Sequence, residues 1–106
     1  MRRYNHIGIP TVVPQTGEVY LERYGVHCTD HEGNPFGIQW MRYDPDCPLP
    51  EAVKTLPHAA FEVDDLEEAL KGHQVIIAPN SPSEGVRVAF ILCQGAPVEF
   101  LEIRKP

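Results

Sequence analysis

Two histidines and two strand-borne polar residues stand out as groups that could do chemistry together. His6 opens the apolar stretch His6-Ile7-Gly8-Ile9, and His58 opens the similar stretch His58-Ala59-Ala60-Phe61. Each half of the chain then closes on an apolar strand that carries one polar residue: Gln39 in Ile38-Gln39-Trp40-Met41 and Glu99 in Val98-Glu99-Phe100-Leu101. A carboxylate inside such a strand is costly to bury without a partner. Strand parity puts Glu99 and Leu101 on one face, with Val98 and Phe100 on the other. If the two halves are related by pseudo-symmetry, both histidines and both polar groups come to one centre. Two imidazoles and a carboxylate suit a divalent metal that keeps open positions for substrate oxygens.

Other groupings carry less. His27 and His31 are four apart, a zinc spacing on a helix. Thr29, Asp30 and Gly33 instead make this a strand end followed by a turn. Asp64, Asp65, Glu67 and Glu68 fit the acidic first turn of a helix rather than a metal site. Arg42 and Glu102 hold matching places in the two halves and are expected on the solvent face or in cross-strand pairs. Phe36 and Trp40 could line a pocket, but core packing is the favoured expectation. Cys28, Cys47 and Cys93 are odd in number and show no Cys-x-x-Cys spacing, so they read as reduced thiols.

Composition narrows the class. The 106 residues, 42% of them hydrophobic, make one compact domain. A formal net charge of −6 argues against a nucleic-acid partner. No apolar run reaches the roughly 20 residues that cross a bilayer, and none near the N-terminus suits a signal peptide. The expectation is a cytoplasmic protein with a small-molecule substrate and no membrane or nucleic-acid partner.

Eleven prolines and eight glycines divide the chain into short elements. Strands are expected at residues 6–9, 24–29 and 36–43, with 18–24 undecided between a strand and a helical turn. A Pro-rich connector follows, with a helical patch at 50–54. The second half reads as a strand at 58–63, a helix at 64–71 stopped by Gly72, and strands at 74–78, 86–94 and 98–103. Residues 79–85 are expected as a loop. The matched stretches lie about eight residues farther apart in the second half, roughly a strand plus a turn. The first half is therefore a shortened copy that lacks its helix or one strand. Pro10, Pro14 and Gly17 disfavour a long helix between residues 11 and 24.

The stretches Asn5-His6-Ile7-Gly8-Ile9, Pro57-His58-Ala59-Ala60-Phe61-Glu62-Val63-Asp64-Asp65-Leu66 and Val98-Glu99-Phe100-Leu101-Glu102 resemble the module signatures of the vicinal-oxygen-chelate superfamily. That superfamily includes glyoxalases, methylmalonyl-CoA epimerases, extradiol dioxygenases and bleomycin-resistance proteins. The resemblance implies an α+β fold of paired β-α-β-β-β modules in a single domain, 1–106. Module 1 would span about 4–44, a linker 45–56, and module 2 about 57–103. It further implies His6, His58 and Glu99 as ligands of one divalent ion (Zn, Ni, Co, Mn or Fe), with Gln39 at the fourth ligand position. The order His, Gln, His, Glu is similar to that of methylmalonyl-CoA epimerases. A neutral Gln39 removes one possible base and leaves Glu99 as the catalytic carboxylate. The function so implied is a glyoxalase-like lyase or isomerase that moves a proton beside a carbonyl. A non-catalytic binding protein of the bleomycin-resistance type and a small ferrous ring-cleaving dioxygenase are the alternatives. Exposed strand edges, and the habit of the family, imply a twofold homodimer.

Overall fold

The computed structural model describes residues 2–104; Met1, Lys105 and Pro106 lie outside the described residues. The strands are β1 (Arg2–Pro10), β2 (Val19–Leu21), β3 (Val26–Cys28), β4 (Ile38–Tyr43), β5 (His58–Val63), β6 (Gln74–Ser83), β7 (Val86–Cys93) and β8 (Ala96–Ile103). Two short helices, α1 (Glu51–Thr55) and α2 (Leu66–Leu70), and a 3-10 turn at His31–Gly33 complete the set. All eight strands join one sheet in the order β2-β3-β4-β1-β5-β8-β7-β6. That order reads as two copies of one pattern meeting at the antiparallel pair β1–β5. Within each copy the first and last strands are parallel, β1 with β4 and β5 with β8. The sheet curls, and Tyr24, just beyond β2, donates from its hydroxyl to Asn80 Oδ1 of β6 at 2.9 Å. The two outer strands of the sheet are thereby tied across the opening.

This is the expected α+β arrangement of repeated modules with a reduced first copy, and the missing element is the helix. In the second copy Asp65 caps α2 by accepting from Glu68 N at 3.2 Å. Leu66, fully buried, then inserts among Val63, Ala89, Ile91 and Phe100. Gly72, at φ +77°, lets the chain turn out of the helix. In the first copy, residues 11–18 form a loop. Glu18 holds it down by accepting Arg42 Nη2 at 2.7 Å and Arg42 Nε at 3.0 Å, while Gln15 N donates to Glu18 at 2.9 Å. The undecided stretch at 18–24 resolves as the short strand β2 and a turn.

One expectation fails on the second copy's outer strand. Residues 79–83 are not loop: β6 runs through Pro79 and Pro82 to Ser83. It does so as an edge strand whose pairing with β7 shifts register between Val75 and Ile77, Ile77 and Asn80, and Asn80 and Ser83. Edges and bulges are where proline's missing N–H is tolerated. Among the described residues, no helix is long and apolar enough to cross a membrane.

Candidate metal centre

The β1–β5 register sets His6 opposite Ala60 and Gly8 opposite His58. Each histidine therefore lies across from a small residue of the other module. Closeness is greatest at Gly8, where a Cβ would sit 2.1 Å from His58 Cε1. Only hydrogen at that position leaves room for the ring. On the parallel partners, Gln39 pairs with Gly8 and Glu99 with Ala60. The two polar strand residues thus occupy equivalent places about the pseudo-twofold.

His6, His58 and Glu99 are all buried, at 3%, 2% and 8% exposure. Their donor atoms lie within 4.8 Å of one another. Glu99 Oε1 is 3.1 Å from His58 Nε2 and 3.3 Å from His6 Nε2. Donors about 3.0–3.5 Å apart are what an ion 2.0–2.2 Å from each requires. The hydrogen-bond pattern points the same way. Asn5 Oδ1 lies 2.6 Å from His6 Nδ1 and accepts its proton. His6 Nε2 then faces the Glu99 carboxylate oxygen, and Nε2 has no hydrogen-bond partner among the described residues. His58 Nδ1 is also buried, with no hydrogen-bond partner among the described residues. A carboxylate oxygen and two imidazole nitrogens converging in a buried site are a donor set for a cation. Burial raises the Glu99 pKa, but its interactions with the adjoining His58 and His6 rings together outweigh burial and bring it down to about 2. The carboxylate is ionised at neutral pH, as a ligand must be. The residues therefore fit a divalent ion.

Gln39 lines the same cleft. Its amide nitrogen donates to Thr29 O at 3.1 Å, which leaves the amide oxygen as the atom available to the cleft. His27 and His31 part company. His27 stacks on Tyr20 at 4.3 Å and lies 3.4 Å from Asp44, whereas His31 stacks on His6 at 4.4 Å. The approach of His31 depends on the 3-10 turn after Asp30, which spacing alone does not reveal. Its pKa is lowered by burial first and by His6 second. Phe36 is a correction: it is 74% exposed at the cleft rather than packed in the core. Glu102 does pair across strands, with Arg87, whereas Arg42 pairs with Glu18 at the end of the loop before β2. A second cluster, Asp65, Glu67 and Glu102, also has donor atoms close enough for an ion. It is open to solvent and already engaged by Arg87.

No family profile matches this sequence, and no curated protein matches it. Among solved structures, the chain is similar to a hypothetical protein from Bacillus halodurans C-125, with a TM-score of 0.75 at 21% identity over 99% of this chain and 96% of that one. It is also similar to methylmalonyl-CoA epimerase from Mycobacterium tuberculosis, with a TM-score of 0.66 at 18% identity over 98% and 89%. At such identities the likeness is one of fold, of the vicinal-oxygen-chelate type.

Proposed function

We propose that this chain is a metal-dependent lyase or isomerase that moves a proton at the carbon beside a carbonyl of a small, oxygen-chelating substrate. His6, His58 and Glu99 would hold one divalent ion, with the Gln39 amide oxygen beside it. The observation that carries this reading is the approach of two histidine nitrogens to a single buried carboxylate oxygen, at 3.1 and 3.3 Å. When bound, such an ion polarises a substrate carbonyl and makes the neighbouring C–H more acidic. Glu99 is the group that accepts that proton, being ionised and inside the cleft. Gln39 cannot take a proton, so the transfer is one-sided. Asn5 keeps His6 in the tautomer whose Nε2 is free for the metal.

The test is solvent deuterium exchange at the α-carbon of a panel of small 2-hydroxy and 2-oxo carbonyl compounds, followed by NMR. Metal-loaded protein is expected to exchange at least one of them. Glu99→Gln should bind the same compound without exchange, and His58→Ala should lose the metal. Exchange by His58→Ala at the full rate would refute the reading.

The same proposal includes a twofold homodimer. The edge strand β2 exposes Val19 and Tyr20, and the loop before it exposes Val12 and Val13. Light scattering at concentrations on the order of tens of micromolar should report twice the chain mass, since a standard-size interface holds there. A monomer throughout that range would remove the dimer.

A further inference from the structure

The cleft around these residues encloses about 1250 Å³. Its charge is one-sided. Among the described residues, no lysine or arginine lines it, while the carboxylates of Glu32, Glu62 and Glu99 do. Arg3, the basic side chain bonded to Glu62, is shared between Glu62 at 3.0 Å and Asp64 at 3.3 Å. The deeper walls are apolar, with Val26, Met41, Leu49, Val53, Phe90 and Leu101 among them. At the rim, two aromatic rings face water: Tyr4 is 56% exposed and Phe36 is 74% exposed.

That rim is built rather than loose. The Tyr4 hydroxyl donates to Phe36 O at 3.0 Å. Gly37 follows at φ +72°, and a Cβ there would lie 3.2 Å from Asn5 O and 3.3 Å from the Tyr4 hydroxyl. The chain beside Phe36 is thereby pinned to the segment that carries His6. Exposed aromatic surface held at the mouth of an apolar cleft is the mark of a ligand that covers it.

We propose, building on the function above, that the ligand is a phosphate-free molecule whose oxygen pair meets His6, His58 and Glu99 and whose predominantly apolar, aromatic-sized body lies between the cleft wall and the Tyr4–Phe36 rim. A phosphate group needs cationic partners of its own away from the oxygen-binding end, and among the described residues no lysine or arginine lines the cleft to supply them. A coenzyme A thioester, the substrate in the name of the mycobacterial neighbour, brings phosphates that this cleft does not neutralise.

Three hydroxamates separate the possibilities, since all present the same oxygen pair. Acetohydroxamate has no body, benzohydroxamate adds a phenyl ring, and phosphoglycolohydroxamate adds a phosphate. Each is titrated into cobalt-loaded protein by its visible spectrum and into metal-free protein by NMR chemical-shift changes. Benzohydroxamate is expected to bind about tenfold more tightly than acetohydroxamate, the effect of burying part of a ring. Phosphoglycolohydroxamate should bind no more tightly than acetohydroxamate. Phe36→Ser should shrink the benzohydroxamate advantage and leave acetohydroxamate binding and the cobalt spectrum as they are. Tighter binding of the phosphate probe, or equal binding of the two uncharged probes, overturns the proposal. The two arms keep the claims apart. A ring preference in metal-free protein that never takes up cobalt sinks the metal reading and leaves this one. A normal cobalt spectrum without the preference does the reverse.

Discussion

Replacing Gly8 by alanine adds one carbon atom where the structure has no room for it. The new Cβ would fall 2.1 Å from His58 Cε1, 2.6 Å from Nε2 and 2.7 Å from Nδ1. Carbon atoms in contact stay about 3.5 Å apart, so the ring must retreat by roughly 1.4 Å. Its 3.1 Å bond to Glu99 would then open to roughly 4 Å or more, beyond hydrogen-bond range. The ring cannot swing freely, because it is 2% exposed and packs edge-on against Phe90 at 4.9 Å. Overpacking costs about 1–3 kcal/mol and loss of a hydrogen bond to a charged group about 1.5–3, together roughly 3–5 kcal/mol. For a domain of this size that is a fall in melting temperature of roughly 15 °C or more. Metal-site donors tolerate displacements of only about 0.2 Å, so cobalt uptake should fail as well. The assay is thermal unfolding by circular dichroism, with cobalt titration alongside, on Gly8→Ala, His58→Ala and the double variant. In the double variant the ring is gone and the methyl group fits, so Gly8→Ala should cost little in that background. A coupling of about 2 kcal/mol or more is expected from the cycle. A Gly8→Ala single variant that melts within 2 °C of the parent (about a quarter to half of 1 kcal/mol) and takes up cobalt normally would refute the reasoning.

Three further outcomes are expected. The Glu18 carboxyl, held down to about 2 by Arg42 first and by the Gln15 backbone N–H second, has a folded pKa below its ordinary 4.5. Its contribution is complete above about pH 4.5 and is lost as pH falls towards 2, so Glu18→Gln should flatten the acid limb of stability in that window. Glu99 titrates in the same window, which makes the difference between parent and variant curves the quantity to measure. Tyr43→Phe removes a buried hydroxyl that finds no partner among the described residues, and should raise the melting temperature of metal-free protein by a few degrees, at about 1 kcal/mol. A fall would mean that the hydroxyl is satisfied. Chelation of metal-loaded protein should lower the melting temperature of the parent and leave His58→Ala unmoved, because an ion that binds only the folded state stabilises only a chain that can hold it.

The second half of the chain was the more legible. The strand His58–Val63 is bounded by Pro57 and by the acidic run, and it is found where expected. The helix comes out shorter than 64–71 because Asp65 is its cap rather than its first turn. Proline misled at β6: Pro79 and Pro82 read as loop, yet an unpaired edge with bulges absorbs them. For the site, one histidine in the first strand of each half and a polar residue in each last strand pointed to His6, His58 and Glu99, although β1 begins at Arg2 and His6 lies in its middle rather than at its start. What spacing could not reveal depends on register between distant strands. The clearance over Gly8, the approach of Asn5 to His6 and the Tyr24–Asn80 bond each need the three-dimensional neighbour to be known.

The central pair β1–β5 has a consequence for how the protein assembles. Pairing within the second half, β6 to β7 and β7 to β8, closes tight turns. Pairing of Gly8 with His58 must close a loop that takes in the whole first module and the linker. Loop-closure entropy sets the local hairpins forming before the long-range pair. Neither half carries more than one of the two facing histidines. The chain therefore acts as a two-key lock, in which a nascent or half-folded molecule has no place for a metal ion. If the proposed ion binds at that centre, its uptake during refolding would time the moment at which the halves join, with no added label.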